Sequence, residues 1–162
     1  MIELDAVYEE RYWYPDDGGE VWIAGYQLVD EDGRFLGRDA PELHARRVHV
    51  ANVAGAGQHH AEALASDAAA PGRALTLRRD PGNEHDPNAI AVYAGAEQVG
   101  WVPRELAAEL ALRLDSGELF TAVCLRERRP SPRDPRSGLT MLLAPAEAIE
   151  LREVSPARRR RP

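Results

Sequence analysis

Lysine is absent from this chain, and all 20 of its basic residues are arginines. Arginine offers a planar fork of donors suited to bidentate contact with carboxylate or phosphate, although genome composition produces the same bias with no function behind it. Cysteine is almost as scarce. Cys124 stands alone inside the apolar run Phe120-Thr-Ala-Val-Cys-Leu125, so no internal disulfide can form and a small core hydrophobe is its simplest role. No apolar run approaches the length of a membrane span. The opening Met1-Ile-Glu-Leu-Asp5 is acidic and alternating, unlike a secretory leader, and makes a soluble cytoplasmic protein the expectation.

Catalytic signatures are missing as well. There is no phosphate-binding glycine loop, no nucleophile elbow and no zinc-hydrolase helix motif, so a non-enzyme without a cofactor is expected. An excess of positive charge is also lacking, since 27 acidic residues leave a net charge of −7. That balance argues against a protein that coats nucleic acid over a wide surface by neutralising many phosphates. The charge is nevertheless uneven. Asp16, Asp17, Glu20, Asp30, Glu31 and Asp32 crowd the first third, whereas arginines gather from Arg126 to Arg136 and from Arg158 to Arg161.

What is present reads as one domain with an appendage, because 162 residues can bury about 70% of the unfolded surface. Ile2, Leu4, Ala6 and Tyr8 alternate with polar neighbours, as do Trp22, Ala24, Tyr26 and Leu28, and both patterns predict strands. Asp30-Glu-Asp-Gly33 supplies a turn into a third strand, Arg34 to Leu36. The aromatics here (Tyr8, Tyr12, Trp13, Tyr14, Trp22, Tyr26) could stack bases, but they stand among carboxylates, and packing is the better reading. Pro41 to Arg47 is a linker or short helical turn, Val48 to Val53 a strand, and Gly55-Ala-Gly57 a flexible turn. Ala61 to Ala70 is alanine-rich and closed by Pro71-Gly72, which predicts a short helix.

Strands follow at Leu75 to Leu77, Ala89 to Ala94 and Gln98 to Val102, the last two joined by a tight turn at Gly95. Pro103 suits the first position of a helix whose Leu106, Leu110 and Leu114 form a buried stripe, with Glu109 and Arg113 as an exposed pair and Gly117 at the end. Phe120 to Leu125 and Gly138 to Leu143 are further core strands. Between them Arg126 to Ser137, broken by three prolines, predicts a mobile basic loop. Ala146 to Leu151 adds a short element before a basic tail.

The stretch Arg78-Arg-Asp-Pro-Gly-Asn-Glu-His-Asp-Pro-Asn88 connects two of these strands. Asp80-Pro81 and Asp86-Pro87 stiffen it, while Gly82 and Asn83 tolerate the positive φ of a tight turn. Its polar side chains either bond the turn's own backbone or face a ligand. Arg104 is similarly open to two readings. A cation in a helix's first turn opposes the helix dipole; either it is solvated beside Glu105, or it binds an anion together with the free amides there.

The order of these motifs resembles the HIRAN domain, a module of some SNF-type fork-remodelling helicases and of free-standing bacterial proteins. The matching residues are Asp80, Pro81, Asn83, Asp86, Asn88, Ala89, Ile90 and Val92, then Gly100-Trp-Val-Pro-Arg104 and the leucine-striped helix. Val53-Ala-Gly55 with His59-His60 resembles the family's first strand and turn. The resemblance implies a mainly β, α+β fold: a small OB-like barrel with two helices over residues 47–145, an N-terminal antiparallel extension over 1–46 and a C-terminal segment over 146–162.

It also implies a surface that binds the 3′ end of single-stranded DNA. Asn83, His85 and Asp86 would cradle the terminal nucleotide, Arg104 would reach a phosphate, and His59, His60 and Trp101 would complete the contact surface. A role in DNA repair, fork processing or recruitment of a DNA enzyme would follow, with a helicase or nuclease acting in trans and no membrane partner. The cytoplasm, or the nucleoid within it, would be the location. His85 stands where the helicase members carry a larger aromatic, and His59 and His60 where they carry tyrosines. Two other readings use the same chain: a protein-interaction adaptor without DNA binding, and a zinc site at His59, His60, His85 and Asp86, whose spacing matches no local zinc motif.

Overall fold

The computed structural model describes residues 1–14 and 19–155, which form nine strands and four α-helices. Asp16 and Asp17 of the acidic first third and the arginines of the basic tail lie outside the described residues. Strand β1 (Ile2–Trp13) folds back on β2 (Val21–Val29), with Ala6 opposite Leu28 and Tyr8 opposite Tyr26. The turn after β2 closes as its sequence predicts: Asp30 Oδ1 accepts from the amides of Asp32 and Arg34 at 2.9 Å, and Gly33 takes φ +80°. The expected third strand shrinks to a single bridge between Phe35 and Val29.

Six strands then form a ring. β3 (His49–Asn52) pairs with β8 (Gly138–Ala144), β8 with β7 (Thr121–Arg129), β7 with β4 (Ala74–Arg79), β4 with β5 (Ile90–Ala94), and β5 with β6 (Glu97–Trp101). The ring closes just past β3, where the Ala54 amide donates to Trp101 O at 2.8 Å and the Trp101 amide to Ala54 O at 2.9 Å. This is the OB-like barrel that the resemblance implies. Gly100 makes the closure possible, because at φ +156° a Cβ there would lie 2.5 Å from Ala54 O and 2.6 Å from Val53 Cγ1.

Period-two alternation gives β7 and β8 two apolar faces. Ala122, Cys124, Leu139, Met141 and Leu143 point into the barrel with Leu64, Ile90, Val99 and Leu110. Val123, Leu125, Leu142 and Ala144 point outward against Leu4, Ala6 and Leu28 of the N-terminal hairpin and Leu43 of α1 (Pro41–Ala45). The second half of β7 pairs with β2 as well, and β9 (Ile149–Glu153) runs parallel to β1 on the hairpin's far edge.

Several expectations for the helices and loops change. The helix predicted over Ala61 to Ala70 is broken into α3 (Ala61–Leu64) and a 3₁₀ turn at Asp67–Ala69, and a further turn of helix, α2 (Ala56–His59), forms where a flexible turn was expected at Gly55-Ala-Gly57. Ser66 is extended at ψ 155°, and Arg136 Nη1 donates to the carbonyls of Leu64 and Ser66 at 2.8 Å, taking acceptors that a continuous helix would use. Arg126, Arg128 and Arg129 belong to β7 and not to a loop. The segment after them is tied down by Arg129 and Arg136, which both pair with buried Glu127. Finally, Pro103 is the N-cap of α4 (Arg104–Asp115) and not its first helical residue, so the helix begins one position later than expected. Arg113 pairs with Glu118 rather than Glu109 and lies over the Phe120 ring at 4.9 Å. The leucine stripe is as predicted, with Leu110 buried and Leu106 and Leu114 packed on the core.

Gly100→Ala is expected to destabilise the fold by about 1–3 kcal/mol, seen as a lower urea midpoint. Gly82→Ala, where an added methyl meets nothing within 4 Å, should change stability by less than about 0.5 kcal/mol.

Candidate nucleic-acid interface

The loop between β4 and β5 is shaped by its own side chains. Asn83 Oδ1 accepts from the amides of His85 at 2.9 Å and Asp86 at 3.1 Å, while its Nδ2 donates to Asp80 Oδ2 at 3.2 Å. Asp86 Oδ1 accepts from the Asn88 amide at 2.9 Å. These bonds hold the turn without left-handed backbone at Gly82 or Asn83, so the positive φ expected there is not used. Asn83 is thereby committed largely to the loop's shape. The His85 side chain is exposed, and Asp86 keeps Oδ2 for other contacts.

The loop is strapped to both ends of α4. At its base Arg79 donates to both carboxylate oxygens of Asp115, at 2.8 and 3.2 Å, and to the carbonyls of Ala89 at 2.7 Å and Pro87 at 3.0 Å. At its tip Arg104 Nη2 donates to His85 O at 2.8 Å, and Arg104 Nε lies 3.7 Å from Asp86 Oδ2. The 12 residues of α4 rise about 16 Å between the two straps. The lower strap places a cation at the helix's negative end, where it is favoured; the upper places one at the positive end, where it is not. Arg104 has 72% of its side chain exposed, so its guanidinium remains open to solvent on one side. Arg79 has no signal in the sequence beyond the Arg-Arg pair before Asp-Pro, because its partner is 36 residues away.

A second patch surrounds Gly55. A Cβ at Gly55 would meet Trp101 Cδ1 at 3.5 Å and His59 Cδ2 at 3.9 Å, so these two rings flank the glycine. The His59 and His60 rings are 6.4 Å apart and inclined at 73°. His60 is half-buried at a cleft also lined by Glu62 and Glu97, and burial, then the charge of His59, lowers its pKa below the usual imidazole value of 6.5. The sequence-predicted residues thus fall in two groups. Asn83, His85, Asp86 and Arg104 share the loop tip, whereas His59, His60 and Trp101 surround Gly55; Trp101 and Arg104 link the groups, three residues apart at the end of β6 and the start of α4. Among the described residues no group of three or more His, Cys, Asp or Glu side chains could hold a metal ion, so His59, His60, His85 and Asp86 do not converge on zinc.

A closed six-strand ring with a stiff polar loop at its mouth is the frame of a small binding barrel. Residues 48–142 match the family model of the HIRAN domain. The chain belongs to the HIRAN domain family, known as a DNA-binding module. Among solved structures it is similar to the HIRAN domain of human HLTF, at 24% identity over 62% of this chain and 77% of that one, with a TM-score of 0.44. No curated protein matches the chain.

The Arg79 hydrogen bond holds the Asp115 carboxyl below its ordinary value of 3.8, so the strap's contribution is present above that pH and is lost as pH falls through the depressed value. Asp115→Asn is expected to speed amide exchange across residues 80–89 by more than the small accompanying fall in the urea midpoint accounts for. If exchange there is unchanged, the lower strap does not order the loop.

Proposed function

We propose that this protein binds single-stranded DNA at a free 3′-hydroxyl end and acts by binding rather than by chemistry. The support is the pairing at the loop tip: Arg104 lies 3.7 Å from Asp86 with 72% of its side chain exposed, on a loop fixed at both ends. Asp86 Oδ2 can accept a hydrogen bond from a 3′-hydroxyl. The same carboxylate repels a 3′-phosphate, so one residue separates a free end from a blocked one. Arg104, beside the unpaired amides at the start of α4, takes the preceding phosphate, which offsets its position at the helix's positive end. Stacking of a base on Trp101 or His59 adds about 1–3 kcal/mol. Such a site needs few phosphate contacts, which reconciles it with a net charge of −7. Recruitment of a helicase or nuclease to DNA ends, in the cytoplasm or nucleoid, is the role that fits.

Fluorescence anisotropy with short strands ending in 3′-hydroxyl or 3′-phosphate tests this reading. The native protein should prefer the hydroxyl, Asp86→Ala should bring the two affinities together, and Arg104→Ala should weaken both and reduce the salt slope by about 0.7. Equal binding of both ends by the native protein overturns end recognition, and binding of neither leaves the adaptor reading.

If His60 touches the strand, its lowered pKa puts any tightening below pH 6.5 rather than between 7.5 and 6.5. Anisotropy at pH 7.5, 6.5 and 5.5 on the native protein and His60→Gln should show that the part of the gain lost in the variant falls in the last step. A flat profile removes His60 from the site.

A further inference from the structure

Between the N-terminal hairpin and the barrel, beyond the apolar residues that join them, lies a cavity of about 260 Å³. Four arginines from separate parts of the chain line it: Arg11 on β1, Arg38 in the connection before α1, and Arg126 and Arg128 on β7. Trp13, Asn52 and, from β2, Ile23 and Gln27 stand in the same wall. Among the described residues, the hydrogen bonds that hold the two β7 arginines end on neutral oxygens. Arg126 Nη1 donates to Tyr26 O at 2.8 Å and Gln27 Oε1 at 3.4 Å, and Arg128 Nη1 to Thr140 Oγ1 at 3.0 Å and Asn52 Oδ1 at 3.3 Å. Burial, then the charges of Arg38, Arg11 and Arg128, push Arg126 down to about 10. Glu9 lines an adjoining cavity with Arg11 and Gln27, outside the lining of this one. Like charges gathered this closely in a half-buried site oppose one another, and an anion between them reverses the sign of the interaction.

We infer that this cavity takes a backbone phosphate of single-stranded DNA, some nucleotides away from the strand's end. Three features select that ligand. Trp13, in the wall, is 47% exposed, so a ring for stacking adjoins the cations. That exposure departs from the packing role read for Trp13 in the sequence. The protein is acidic elsewhere, so a polyanion is held only where arginines cluster, which suits a flexible single strand better than a duplex. The cavity is also close to the loop. Asn52 is two residues from Ala54, which bridges to Trp101, three residues before Arg104. Bond geometry therefore keeps Asn52 and Arg104 within about 25 Å, a span suited to the roughly 4–16 nucleotides an OB fold covers. The inference rests on the DNA-binding reading for its ligand, but not on recognition of the 3′-hydroxyl.

The test compares oligothymidylates of 3 and about 12 nucleotides, each ending in 3′-hydroxyl or 3′-phosphate, by anisotropy at several salt concentrations. The exposed pair Arg11→Gln with Arg38→Gln should remove the gain in affinity with length and reduce the salt slope for the long strand by about 0.7, the one phosphate contact the cavity supplies, while leaving the hydroxyl-to-phosphate ratio unchanged. Gly138→Ala is a second route, because a methyl there would lie 2.8 Å from Arg128 Cζ and would displace the guanidinium, with the same expected loss for the long strand. If both variants bind long strands as the native protein does, the inference is overturned while end recognition can stand. A native protein indifferent to the strand's end but weakened by these variants overturns end recognition and keeps the cavity. Failure of the native protein to bind any strand overturns both.

Discussion

The wall formed by β7 and β8 holds the two halves of the molecule in one frame. Every residue of β8 is buried, with Leu139, Met141 and Leu143 on one side and Leu142 and Ala144 on the other. A strand apolar on both faces cannot face water, so the barrel depends on the hairpin to cover its outer surface as much as the hairpin depends on the barrel. The wall also positions what lies at its edge. The first half of β7 pairs with β4, which leads into the strapped loop, and the second half pairs with β2, which carries one side of the arginine cavity.

Much of this was legible in the sequence. Alternation located the strands, the Leu106, Leu110 and Leu114 stripe located α4, and Asp80 to Asn88 with Arg104 marked a stiff loop and a cation that do come together. What escaped was decided by contacts across long stretches of chain. Helix propensity favoured Ala61 to Ala70, but Arg136, 72 residues from Leu64, claims the carbonyls that would have continued it. Arg126 to Arg129 looked like loop because of the prolines that follow; a buried Glu127 shared by Arg129 and Arg136 keeps them in the sheet. Gly82 and Asn83 suggested left-handed backbone, whereas the Asn83 amide supplies the turn by hydrogen bonds alone. The arginine cavity had no local signature, since its walls come from residues 11, 38, 126 and 128.

The absence of lysine gains a structural meaning at several of these points. Arg79 bonds a carboxylate and two carbonyls at once, and Arg136 bonds two carbonyls and Glu127. An ammonium has neither the planar fork nor the reach to satisfy such sets together. Compositional bias toward arginine accounts for the exposed examples, but at these two positions the guanidinium shape itself joins separate elements.

The ring of strands meets itself at Ala54 and Trp101, through two hydrogen bonds. A closed barrel presents no free edge there, so parting this one pair would create two unpaired edges together. The joint acts as a latch, and one half of it is the residue whose ring flanks Gly55 beside His59. Any molecule that rests on the Trp101 ring in the closed form alone holds the latch shut by its own free energy of binding, and opening the latch must release that molecule by the same amount. Integrity of the barrel and occupancy of that face are then a single linked equilibrium.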